Sequence, residues 1–146
     1  MLRTVLSATA FFLTALAVPA QDFNPIEGLY SGHGEGELSV DLTHVEDDRY
    51  AISINTVVPI SDAGGGCAGG VDGEVVLGEA GGTLLVENED YDPAAGDSGL
   101  NRRYCEIGLA FDADGTLTLE ERSGCLPYHG AACGFSGTVT HDAAGL

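Results

Sequence analysis

Short stretches of the chain alternate apolar and polar residues, and glycine-rich or acidic turns separate these stretches. In residues 37–44, for example, the apolar side chains of Leu38, Val40 and Leu42 fall on one face. Successive side chains of a β-strand point to opposite faces of the sheet, whereas a helix repeats roughly every 3.6 residues. No segment of the chain sustains a helical period, so the alternation predicts an all-β protein.

The same alternation recurs in about eight segments, and most of them are joined by short hairpin turns. Strands with one apolar and one polar face are typical of antiparallel sheets. An open sheet of this size would expose its whole apolar face, so we expect it to close into a small meandering barrel, with a sandwich as the alternative. The predicted strands are residues 28–34, 37–44, 47–57, 70–77, 83–88, 103–111, 116–122 and 134–141.

The N-terminus has the features of a secretory signal peptide. Arg3 precedes an apolar run over residues 5–18, and small residues follow immediately before Gln21. The run is too short to span a bilayer comfortably, which favours a cleaved leader over an anchor. We therefore expect residues 1–20 to be removed and residues 21–146 to form a single antiparallel β-domain. The short leader and the absence of an Asn-x-Ser/Thr sequon favour a periplasmic or secreted bacterial protein.

The charge balance of the chain is strongly acidic. The chain contains five basic residues, all arginine, and 23 acidic residues, so its net charge is −18. Such a surface repels nucleic acid phosphates and anionic lipid headgroups, so neither is an expected partner. It attracts cationic molecules instead, which predicts a cationic protein as the partner. Composition leaves the oligomeric state open.

Four cysteines, an even number, follow the predicted leader at Cys67, Cys105, Cys125 and Cys133. In an exported chain this number predicts two disulfides, for which three pairings are possible. The pair Cys125–Cys133 is favoured because this bond would close a short loop. That choice leaves Cys67–Cys105, and the other pairings remain open. Zinc binding by Cys125, His129 and Cys133 is the alternative, but nearby glycines and a proline disfavour a helix there and oxidation competes for the thiolates. We expect no metal and no cofactor.

The candidate contact residues lie in two loops. Residues 87–103 form a long polar loop, and "GCLPYHGAACGFSG" over residues 124–137 contains an aromatic residue and a histidine between two cysteines. The acidic loop also offers oxygen ligands that Ca²⁺ accepts, which is the basis of a calcium-binding alternative. No nucleophile motif or catalytic spacing of histidines occurs, so no catalytic residue is predicted. The candidate binding residues are Glu89, Asp90, Asp92, Asp97, Tyr128 and His129.

Several segments together resemble small exported bacterial β-domain proteins to which no activity is attached. The similar elements are a "GLYSG" strand, "YCEIGLAFDADGTLTLEE" and, most specifically, the C-terminal "GCLPYHGAACGFSGT". The resemblance implies a disulfide-tied β-domain. In size, charge and architecture the chain also loosely resembles periplasmic lysozyme inhibitors, whose partners are basic enzymes. The function expected from the sequence is a non-enzymatic binding or inhibitory module for a cationic partner, and the alternative is a calcium-binding or purely structural envelope protein.

Overall fold

The computed structural model describes residues 25–61 and 64–144, which form eight antiparallel strands and one helical turn. The all-β prediction is therefore confirmed, whereas the predicted signal peptide, residues 1–20, lies outside the described residues. No helix in the described ranges is both long and apolar enough to cross a membrane. The elements are β1 (Gly28–Gly34), β2 (Glu37–Glu46), β3 (Arg49–Val58), β4 (Cys67–Val76), β5 (Gly81–Glu87), β6 (Tyr104–Phe111), β7 (Thr116–Ser123), α1 (Leu126–His129) and β8 (Gly137–His141).

The strands form a nearly closed barrel in the order β4-β3-β2-β1-β8-β7-β6-β5. The first and last strands, β1 and β8, pair with each other, so the only break in the described sheet lies between β4 and β5. These two strands are consecutive in sequence and approach each other at the hairpin, where Gly78 and Gly81 exchange main-chain hydrogen bonds. We call the gap between the edges of β4 and β5 the seam. The seam leaves one side of the barrel without a hydrogen-bonded ladder.

The core of the barrel consists of the inward-facing residues of the alternating segments. Leu38, Val40 and Leu42 of β2 are buried, as the sequence predicts, and the other strands follow the same rule. Burial of apolar surface provides the main driving force for this closure. Apart from two polar residues, Thr56 and Asn88, the buried side chains of the described residues are apolar, aromatic or disulfide-bonded.

Tyr30 of β1 is the largest of the fully buried side chains. Its hydroxyl donates a hydrogen bond to the carbonyl oxygen of Ile26 at 2.8 Å. Burial, and secondarily the proximity of Tyr50, raises the pKa of Tyr30 to about 12. The phenol therefore stays neutral in the folded protein at a pH at which a tyrosine in the unfolded chain ionises.

Alkaline pH is expected to destabilise the protein through Tyr30. Between pH 10 and about 12 the unfolded chain releases a proton that the folded chain keeps, so the free energy of unfolding falls as the pH rises. The loss is roughly 1–2 kcal/mol over this interval, because the hydroxyl is only partly buried and solvent screens part of the effect, and the full contribution is present below pH 10. Y30F is expected to cost about 1 kcal/mol at pH 8, because the Ile26 hydrogen bond is lost. Urea unfolding should show that the deficit of Y30F in the free energy of unfolding shrinks and then reverses towards pH 12. A difference between the two proteins that does not change with pH would contradict the raised pKa of Tyr30.

The connection between β7 and β8, residues 124–136, crosses one end of the barrel, and we call it the strap. Because the strands are antiparallel, this end also contains the end of β5 and the starts of β4 and β6. The strap includes α1, although the sequence disfavours a helix here; Pro127 occupies the first turn, where a missing N–H is tolerated, and Gly130 ends the turn with φ 72°. The strap reaches β4, because a Cβ on Gly69 would overlap His129.

Two disulfides hold the strap in place, and their pairing differs from the one favoured by loop length. The bonds are Cys105–Cys125 and Cys67–Cys133, so the predicted pairs Cys125–Cys133 and Cys67–Cys105 are wrong. The physical reason is that the strap crosses the barrel end between Cys125 and Cys133, which places its two cysteines beside different strands. Cys125 lies beside β6 and Cys133 beside the start of β4. Structural disulfides of this kind indicate that the chain folds in an oxidising compartment.

Candidate functional site

A groove of about 470 Å³ lies along the seam, within the size range of small-ligand sites. One wall is formed by residues 70–72 of β4, and the other by residues 86–90 at the end of β5. The strap contributes Pro127 and Tyr128, and Leu100 from the loop after β5 completes the lining. The groove therefore exists because β4 and β5 diverge from their hairpin and the strap closes only the end of the gap.

Part of the groove surface is apolar. Val71 is buried in the barrel and Val86 is half-buried, so these residues form the inner part of the lining. Leu100 is different, because 69 % of its surface is exposed at the edge of the groove. Together with Pro127, these side chains give the groove a surface on which the aliphatic part of a ligand can pack.

Asn88 is the buried polar residue in the groove lining, with only 5 % of its surface exposed. Its amide nitrogen Nδ2 donates to the carbonyl oxygens of Arg102 at 2.7 Å and Gly124 at 2.9 Å. These two bonds use both hydrogens and fix the orientation of the amide, since a flipped group would place Oδ1 against two carbonyl oxygens. Oδ1 is a buried acceptor for which the described residues provide no donor. A buried polar group without a partner is costly, and a hydrogen-bond donor that gained access to Oδ1 would remove that cost.

Four carboxylates also line the groove, on Asp72, Glu87, Glu89 and Asp90. Glu87 forms an ion pair with Arg103 at 2.9 Å. The other three carboxylates have no cationic partner in the described part of the chain, because each arginine there already contacts acidic residues elsewhere. The remaining ion pairs are Arg49 with Glu46 and Glu74, Arg102 with Asp97, and Arg122 with Glu106 and Glu120. The groove therefore has an uncompensated negative potential.

Tyr128 lies where the strap meets the groove. Its hydroxyl donates to the carbonyl oxygen of Glu87 across the seam at 3.5 Å. Partial burial, and secondarily the charge of Glu89, raises the pKa of Tyr128. The phenol therefore remains a neutral hydrogen-bond donor at physiological pH and adds no further negative charge to the groove.

The structure brings three of the six predicted contact residues together, because Glu89, Asp90 and Tyr128 all line the groove. Asp92 and Asp97 are not among the lining residues. Asp92 accepts the amide of Ala94 at 2.8 Å and shapes the turn that follows. Asp97 pairs with Arg102 at 3.2 Å. These two acids therefore organise the loop over residues 87–103 and do not face the groove.

His129 points away from the groove, although it neighbours Tyr128. Only 5 % of its side chain is exposed, and its Nε2 lies 3.0 Å from Oε2 of Glu121 on β7. The same carboxylate oxygen accepts the amide of Phe135 at 2.9 Å. Glu121 thus connects α1 to the C-terminal part of the strap at Phe135, and His129 has a structural contact that explains its presence.

The described part of the chain gives no support to a metal site. All four cysteines are in disulfides, so no thiolate is present for zinc. Within residues 25–61 and 64–144, no three or more histidine, cysteine or acidic side chains converge in a way that could hold a metal ion. The calcium-binding alternative therefore has no cluster of ligands in the loop over residues 87–103, all of which the structure describes.

Two important groove residues are absent from the sequence prediction, Asn88 and Asp72. The alternation did contain a signal for Asn88, because Leu84, Val86 and Asn88 fall on one face with period two. That spacing places an amide on the inward face of the sheet, where a polar group needs a partner. Asp72 had no such signal, because its proximity to Glu89 and Asp90 depends on where the barrel remains open.

No known family model, curated protein sequence or solved structure matches this chain. The chemistry of the seam groove is therefore the basis for assigning a function.

Proposed function

We propose that this protein is a non-enzymatic binding module, periplasmic or secreted, that holds a cationic side chain of a basic partner protein in the seam groove. The observation that supports this most directly is the Asn88 Oδ1 atom, a buried acceptor for which the described residues provide no donor, on a residue that lines a groove with four carboxylates. Lysine and arginine side chains are pure hydrogen-bond donors with a positive charge, so they complement both features.

The groove also suits the whole shape of such a side chain. Lysine and arginine have aliphatic stems that pack on apolar surface while the charged end remains among polar groups. Val86, Leu100 and Pro127 offer surface for the stem. Asp72, Glu89 and Asp90 line the same groove and have no cationic partner among the described residues, so they can compensate the charged end. A neutral or acidic side chain would leave these carboxylates uncompensated.

The charge of the whole protein supports the same partner class. With a net charge of −18, the chain attracts basic proteins over a distance and raises their encounter rate, an effect that salt weakens. Long-range attraction alone gives no defined complex, whereas the groove offers a specific contact. Basic enzymes of the lysozyme class are the first candidates, in line with the loose resemblance to lysozyme inhibitors in size, charge and architecture. Binding at the groove would then inhibit such an enzyme by covering part of its surface.

We expect neutralisation of the groove carboxylates to weaken binding of a basic lysozyme about tenfold. The variant is D72N/E89Q/D90N, and isothermal titration calorimetry at low ionic strength measures Kd. An exposed ion pair contributes about 0.5 kcal/mol, and three of them together amount to about a factor of ten in Kd. The changed side chains are exposed, so the fold should be kept.

The matched control is D48N/E79Q/D114N, which changes the net charge by the same amount at exposed positions that do not line the groove. Its Kd should rise less than about threefold, because charges beyond the Debye length of about 10 Å are largely screened. Equal weakening by both variants would reduce the interaction to net charge alone. As a second measurement, titration with N-acetyl-arginine methylamide should shift the side-chain amide resonances of Asn88, and unchanged resonances at saturating probe would refute the proposed contact.

A further inference from the structure

Among the described residues, the strand edges of β4 and β5 that face each other across the seam have no strand partner. β4 pairs with β3 along its whole length, from Cys67 to Val76, and β5 pairs with β6 from Gly81 to Glu87. In the described residues, the only recorded bridge across the seam is Gly78–Gly81 at the hairpin. Such an edge is a template for an additional strand.

The direction of the main-chain groups on β4 follows from one hydrogen bond. The amide of Leu77 donates to the carbonyl oxygen of Asp48, on the β3 side. In an antiparallel pair, successive residues turn their N–H and C=O groups alternately towards and away from the partner strand. The register between β3 and β4 is regular, so Val71 and Gly73 face β3 whereas Gly70 and Asp72 face the seam.

The opposite edge is less accessible at the groove. The amide of Asn88 donates to Arg103 on the β6 side, so the groups of Glu87 turn towards the seam. The carbonyl oxygen of Glu87 already accepts the Tyr128 hydroxyl, which confirms the direction and occupies the group. Towards the hairpin the seam is closed, because a Cβ on Gly82 would overlap the carbonyl oxygen of Val76. The open edge is therefore that of β4 at Gly70 and Asp72.

We infer that the seam groove binds an extended segment of the basic partner, whose main chain pairs with the β4 edge at Gly70 and Asp72 while its cationic side chain contacts Asn88. This inference rests on the proposed function and specifies the form of the ligand. Main-chain pairing supplies affinity in such complexes, and the side-chain site supplies specificity. A second copy of this chain is a poor occupant, because its acidic surface would meet the carboxylates of the groove.

N-methylated peptides test the main-chain pairing. The probe is acetyl-Thr-Val-Arg-Val-Thr-amide. It is compared with one form methylated on both valine nitrogens and another methylated on the nitrogens of the first threonine and the arginine. In an extended peptide these two sets of N–H groups point in opposite directions. We expect one methylated form to bind at least tenfold more weakly and the other to change Kd less than about threefold. If both forms bind like the parent peptide, or both are weakened equally, the pairing is absent.

Hydrogen exchange of the β4 amides provides an independent readout in the wild-type complex with the parent peptide. The amides of Gly70 and Asp72 should become at least tenfold more protected, whereas that of Val71, which faces β3, serves as the internal control and should not change. Unchanged exchange at Gly70 and Asp72 would overturn the inference. If the peptide fails while a basic protein binds with the expected sensitivity to D72N/E89Q/D90N, the pairing is wrong and the proposed function stands. If neither binds, both fail.

Discussion

Removal of the Cys67–Cys133 disulfide in the variant C67A/C133A is expected to lower the free energy of unfolding by about 4 kcal/mol. The bond joins residues 66 positions apart, so it restricts the unfolded chain strongly, and the entropic estimate for a loop of this length gives this value. Small domains have a total stability of roughly 5–15 kcal/mol, so the loss is a large share of it. Chemical denaturation of the oxidised wild-type protein and the variant provides the measurement.

The position of the bond predicts where the loss appears first. Cys133 ties the strap to the start of β4, whereas Cys105–Cys125 ties the other end of the strap to β6, next to β5. The two bonds and the strap therefore form a covalent connection across the end of the seam that lies opposite the hairpin. In C67A/C133A, amide exchange should accelerate mainly in the first half of β4 and in the strap, with less change in β2. Uniform acceleration, or a loss below about 1 kcal/mol, would contradict this role.

The disulfide pairing illustrates what the sequence could not provide. Loop length favoured Cys125–Cys133 because the two residues are close in sequence. That preference assumes a compact loop, whereas the strap has to cross the barrel end to cover the core, and its own Phe135 is fully buried there. The distance that the strap covers is a property of the closed barrel, so local spacing does not contain it.

The strands themselves were well predicted, because their signal is local. The alternation in residues 37–44 lies within β2, and the segment 103–111 matches β6 to one residue. The candidate site was predicted only in part. Acidic composition identified Glu89 and Asp90, but it did not separate them from Asp92, which serves its own turn. The groove depends on where the sheet fails to close. The sequence of the hairpin between β4 and β5 did not indicate that the two strands diverge beyond it.

Replacement of Gly124 by alanine is expected to destabilise the protein by about 3–4 kcal/mol. Gly124 begins the strap with φ 72°, a conformation that costs an alanine roughly 1–2 kcal/mol. In addition, a Cβ would overlap the carbonyl oxygen of Tyr104 and lie 2.9 Å from Cβ of Arg102. Because the first of these contacts is with backbone, relief requires a shift of the strap or of β6, and such overpacking costs a further 1–3 kcal/mol or so.

Gly115 provides the matched control, since its φ of 76° is similar and its Cβ would have only Ala144 Cβ nearby, at 4.0 Å. G115A should therefore show the conformational cost alone, about 1–2 kcal/mol, in the same denaturation experiment. The difference between the two variants isolates the close approach of the strap to β6. The carbonyl of Gly124 also accepts a hydrogen bond from Asn88, so the same shift should disturb the groove. G124A is thus expected to weaken binding of a basic partner where G115A does not, and equal stability of the two variants would show that the strap has room to move.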